Sequence, residues 1–154
     1  MSVEREKHYD EVRAALQKAT RKAVGLAATT IQREVQKQLN KTGPGRPSPA
    51  GSPPAKQTGS LGRSIQLDTS RLNDKKPSAR VGTNLVYARI QEFGGTINGR
   101  PWLTFNNQDG NRVFVRSVRL PARPYFRPGV KIARPKIKKA VRKVFNEALK
   151  PFAA

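Results

Sequence analysis

The chain has 154 residues, 31 Lys and Arg against 10 Asp and Glu, and no cysteine. That length suffices for one domain with a real core, while a net charge of +21 draws a protein to nucleic acid or acidic surfaces without saying anything about fold. Disulfides, Cys-based zinc sites and thiol nucleophiles are excluded, no apolar run approaches a membrane span, and the charged start Met1-Ser2-Val3-Glu4-Arg5-Glu6 is unlike a secretory signal, so synthesis and assembly in a cytoplasm are expected.

In chain order, residues 1–40 read as one long helix. Val12, Leu16, Ala19, Ala23, Leu26, Ile31, Val35 and Leu39 recur at steps of three to five with charged or amide residues between them, the pattern of an amphipathic helix. Glu4, Glu6, Asp10 and Glu11 suit the positive end of its dipole. Gly25 is a weak point that predicts a bend or a tight crossing. Residues 41–62, with Pro47, Pro49, Pro53 and Pro54 among several glycines, cannot form helix or central strand. This basic stretch, which includes Arg46 and Lys56, is either a linker or an arm reaching a neighbouring subunit.

Residues 63–120 are β-like. Ser64–Asp68 and Ala79–Thr83 are short strands around an Asn73–Pro77 turn. Trp102–Phe105 and Arg112–Val118 form a hairpin whose turn holds Asp109-Gly110. The last strand does not alternate cleanly, as expected of burial on both faces or of an interface. Tyr87–Phe93 is a short helix stopped by Gly94-Gly95.

Residues 121–154 begin with the proline-pinned Leu120–Pro128 and continue as a basic helix carrying Ile137, Val141, Val144, Phe145 and Leu149. Pro135 predicts a break or kink near Arg134. The reading is thus a single α+β domain: long helix, arm, one small antiparallel sheet of three to five strands, and a C-terminal basic helix.

Chemistry is scarce. His8 is the single histidine, in ordinary helical surroundings, and the acids are scattered, so neither an acid–base pair nor a metal cluster emerges. Gly43-Pro44-Gly45 and Gly94-Gly95 lack the context of a phosphate loop. No catalysis, cofactor, metal or small-molecule substrate is expected. Beyond Asn111, thirteen Lys and Arg face Glu147 alone. Arg63, Lys136, Lys138, Lys139, Arg142 and Lys143, with Arg46 and Lys56, are candidates to meet DNA or an acidic partner, and the two options stand level.

One resemblance covers about residues 47–130. Pro47–Pro54, Thr58–Ile65, Val81–Ala88, Glu92-Phe93-Gly94 and Pro121–Pro128 occur in the order and spacing of bacteriophage tail-completion proteins. The sequence resembles the gene-ten family of the Hong Kong 97 phage, and shares its Tyr-Ala, Phe-Gly and Pro-Ala-Arg-Pro elements with the phage virion-morphogenesis family. The resemblance implies a structural virion protein at the head–tail neck or upper tail. Its partners would be its own copies in a ring (sixfold favoured), other neck, connector or tail-tube proteins, and DNA held non-specifically in the channel.

In such a ring Tyr87, Ile90 and Phe93 would be an aromatic anchor, either in their own core or against a neighbour. Arg123 and Arg127 would pair with Glu92 or with a neighbour's carboxylate. Tyr125 and Phe126 join them as interface candidates, and Leu61 and Ile65 would dock the arm on the sheet. The rival reading is a basic nucleic-acid-binding protein without sequence specificity.

Overall fold

A computed structural model describes residues 2–41, 43, 48–107 and 109–153. Arg46 and Pro47 lie outside the described residues. Helix α1 spans Ser2–Leu39, and helix α4, Phe126–Leu149, runs antiparallel along it. At one end of the pair Gly129 faces Val35; at the other Val144 packs on Ala19 and Ala23. Alanines on α1 let the axes approach closely where Val141, Phe145 and Ala148 close over the seam.

The tight crossing falls at Gly129 and not at Gly25, where a side chain would meet only Leu72 Cδ1 at 3.7 Å. No break occurs near Arg134: α4 runs through Pro135. The missing proline N–H costs one hydrogen bond, but α4 packs along α1 on both sides of that position. Pro151 falls in a closing 3₁₀ turn, Lys150–Phe152, whose Phe152 ring meets His8 edge-on at 5.8 Å.

Between these helices come α2 (Ser60–Arg63), β1 (Gln66–Asp68), β2 (Arg80–Gly82), α3 (Val86–Phe93), β3 (Gly95–Asn106) and β4 (Arg112–Leu120). The expectation of one sheet of three to five strands is corrected. The four strands form two separate antiparallel pairs, β1 with β2 and β3 with β4. The first pair, centred on Leu67 opposite Val81, lies against α1. The second is a long ribbon that starts before Trp102, at Gly95, and bulges between Asn98 and Leu103.

β4 is not buried on both faces. Its ribbon packs chiefly on itself, and Trp102, Phe105 and Phe114 are exposed. The two pairs stay apart because α3 and its stop at Gly94 separate them. Gly94 has φ 69°, and a Cβ there would lie 2.7 Å from Ala122 N. Only glycine fits, and that contact fixes the root of the ribbon.

The core sits at the C-terminal end of α1, where Val35, Leu39, Ile65 and Tyr125 are buried together. Leu61 and Ile65 pack with Val35 and Leu39 of α1, and Val81 of β2 joins the same cluster. Gln32 Nε2 donates to Ile65 O (2.9 Å) and Gln36 Nε2 to Gly62 O (3.3 Å). From Ser48 onward the proline-rich stretch is fastened to its own chain: Gly51 N donates to Ala122 O (2.8 Å), and Ser48 and Pro54 are buried.

Candidate functional site: a carboxylate that joins two helices

Glu92 lies near the end of α3, on the buried face it shares with Ala88. Its Oε2 accepts from Tyr125 N and Phe126 N, each at 2.8 Å. Its Oε1 accepts from Arg127 N at 3.0 Å and from Arg127 Nε at 3.2 Å. These donors are the first N–H groups of α4, which Tyr125 leaves without a side-chain cap. A helix start needs such acceptors and favours negative charge. Glu92 supplies both from another element.

Burial, the largest single influence, pushes the Glu92 carboxyl upward, yet the N–H groups of Phe126, Tyr125 and Arg127 and the Arg127 guanidinium together hold it below the usual range. Arg127 also stacks over the Phe93 ring, 5.0 Å from its centre. Tyr125 is 2% exposed, and burial, then the Glu92 charge, then Tyr87, push its phenol up to about 12.

The structure brings Glu92, Phe93, Tyr125, Phe126 and Arg127 together within one chain, on the rim of an apolar hollow with Val81 and Leu85. Tyr125, expected at a subunit contact, is a core residue, because its ring fills the space between Val35 and Ile65. Tyr87, Ile90 and Phe93 do not form the packed face of α3. Tyr87 is 44% and Phe93 60% exposed, with Ile90 half-buried. Tyr87 lines a hollow with Leu39, Pro54 and Leu61.

Arg123 does not reach Glu92. Its Nε donates to Ser48 O (2.8 Å) and its backbone N to Gln91 O (2.7 Å), which ties the proline-rich stretch to α3. Pro49 and Pro53 lie in the same described stretch, from Ser48 onward.

A second junction joins α1 to α4. Glu34 on α1 is buried and binds Lys136 Nζ of α4 at 2.9 Å and Lys37 Nζ at 3.2 Å. The Lys136 hydrogen bond holds its carboxyl below the usual range despite burial. The spacing of Glu34 and Lys37 was a local signal; the partner on α4 had none.

Lys136 is thus committed to an internal pair, whatever else it meets. Lys143 sits 3.8 Å from Glu147 on an exposed face. Lys138, Lys139 and Arg142 are exposed on α4, and Lys56 and Arg63 near α2. Among the described residues no group of three or more His, Cys, Asp or Glu could hold a metal, and no helix is long and apolar enough to cross a membrane.

Both buried carboxylates fasten one helix to another; the site is structural. The family described as "Bacteriophage HK97-gp10, putative tail-component" matches residues 5–94, more than half of the chain. The chain belongs to this family, which links it to phage tail and virion-morphogenesis proteins. The match takes in α1 through α3 and Glu92; the Pro121–Pro128 element, the β3–β4 ribbon and α4 lie beyond it. No curated protein and no solved structure matched the chain.

Proposed function

We propose that this protein completes the tail or neck of a tailed phage, joining head to tail as a closed, sixfold ring around the DNA channel, after assembly in the host cytoplasm. The observation that carries the reading is the family match over residues 5–94. The geometry supports it in two ways. Glu92 and Glu34 lock α4 to α3 and α1, making a rigid body suited to repeated packing, and the β3–β4 ribbon leaves apolar side chains open to a partner. The 1–154 chain acts as one unit in this reading, and Phe93, Phe126 and Arg127 border the ring contact.

Native mass spectrometry of the full chain, alone and with purified tails, tests it. A six-copy species, or uptake by tails lacking this protein, is expected. A chain that stays monomeric with tails present would count against it.

A second reading is favoured by the exposed row Lys138, Lys139 and Arg142 on α4. On it the chain grips DNA non-specifically as a monomer during packaging or organisation. A salt titration with a short duplex separates the two. Each phosphate contact contributes a slope of about −0.9, so neutralising the three residues would flatten the slope by about 2.7 if they carry the binding.

A further inference from the structure

The ribbon Gly95–Leu120 carries its charge and its aromatic rings on the outside. A lone two-stranded hairpin is marginal in water, yet this one leaves Phe114 60% and Trp102 51% exposed. Along β4, alternation puts Arg112, Phe114 and Arg116 on one face. Thr104, opposite Phe114, and Asn106, opposite Arg112, extend that face onto β3. Arg116 lies over the Trp102 ring, 5.2 Å from its centre. The other face is partly closed by its own cross-strand pairs, Leu103 with Val115 and Phe105 with Val113.

The cations of this ribbon have no counter-charge on its strands. Residues 95–120 hold four arginines and one acid, Asp109. That acid sits in the turn, where its carboxylate accepts from Asn107 Nδ2 at 3.2 Å. Glu92, just before the ribbon's root, is buried and occupied by the start of α4. Among the described residues no ribbon arginine forms a salt bridge.

The face makes two demands on whatever meets it. Arg112 and Arg116, about 13 Å apart along the strand, call for anions. Phe114 between them and Trp102 beside them call for flat apolar partners. An acidic protein surface would satisfy the arginines but set charge against the rings. A DNA duplex offers phosphates, but its bases are closed in the stack. An unpaired strand offers both at once, since any base stacks on an aromatic ring while a basic surface tracks the phosphates. Thr104 and Asn106 add neutral hydrogen-bonding groups to the same face.

We infer that the Trp102–Phe114 face of the β3–β4 ribbon binds single-stranded nucleic acid without sequence preference, bases on the two rings and phosphates on Arg112 and Arg116. The site is separate from the exposed row on α4, which asks only for phosphates. It stands whether or not the chain closes into a ring. The overall charge of +21 speeds the encounter with any polyanion, and the rings select the unpaired one.

Trp102 is the chain's single tryptophan, so its emission reports on this face alone. Titrating the full chain with a short oligothymidylate should quench that emission about twofold as bases stack. Phe114→Leu keeps the apolar bulk and should weaken binding about tenfold, and Phe114→Tyr should restore it. Arg112→Gln/Arg116→Gln should flatten the log–log salt slope by about 1.4, the share of two phosphates on a single strand. Binding without quenching puts the strand elsewhere on the chain and overturns the inference. Equal quenching by polyglutamate overturns it in favour of an acidic protein, and equal quenching by a duplex in favour of phosphate contact alone. Wild-type affinity in Phe114→Leu overturns it too. Copy number, read separately by native mass spectrometry, decides the ring and is untouched by any of these results.

Discussion

Gly129 of α4 lies so close to Val35 of α1 that a Cβ on the glycine would stand 2.8 Å from Val35 Cα. The clash would be with backbone, which cannot swing aside. Gly129→Ala should therefore lose about 1–3 kcal/mol to overpacking, more than the roughly 0.5–1 kcal/mol that alanine gains in a helix interior. Gly25→Ala should show that gain alone, since its nearest neighbour is 3.7 Å away. Thermal denaturation of the two variants checks this: the midpoint should fall for one and rise for the other.

Glu92→Gln should destabilise the fold by about 2–3 kcal/mol, because hydrogen bonds to a buried charge are the stronger kind and the amide turns a donor toward N–H groups. Glu147→Gln removes an exposed, 3.8 Å pair and should cost no more than about 0.5 kcal/mol. Urea unfolding of both reads the difference; equal losses would contradict the capping role.

Stability should fall on both sides of neutrality for separate reasons. The carboxyls of Glu92 and Glu34 are held low in the folded chain, so the unfolded chain binds protons first. Their contribution is present above about pH 4.3, the usual Glu value, and is lost as pH falls through the lower folded values. Tyr125 is raised from 10.0 to about 12; its contribution is intact below pH 10 and lost as pH rises toward 12. Unfolding across pH is expected to show a weaker acid limb in Glu92→Gln and a weaker alkaline limb in Tyr125→Phe.

Amide exchange should divide the chain. β3 and β4 pack chiefly on each other, whereas α1 and α4 share a long seam. In the unassembled protein the ribbon should exchange through local opening at least tenfold faster than residues 19–35 of α1. Uniform protection would show that the ribbon is already covered.

Much of the architecture was legible because burial leaves a period. α1 and α4 repeat near 3.6 residues, and Gly94 and the Asp109-Gly110 turn punctuate what lies between. The ribbon's full extent was harder. Gly99 and Pro101 interrupt β3, and a strand covered on neither face by its own chain has no burial pattern to imprint alternation. Pairing of Arg127 with Glu92 was one of two options on the page; that the same carboxylate caps three backbone N–H groups was not, since backbone donors have no sequence signature.

Composition and periodicity by themselves determined a basic α+β chain without cysteine, bounded by two helices, and an ordered series of motifs carried its resemblance to a phage tail family. Tertiary structure alone decided which charges are spent internally and which surfaces stay open. Glu34 found Lys136 and Glu92 found the start of α4 across gaps in sequence that no local pattern spans. Helix and turn signals act over a few residues, whereas these pairings arise from the packing of whole helices. Tyr125 went inside for the same reason: the closest approach of α1 and α4 left a space its ring could fill.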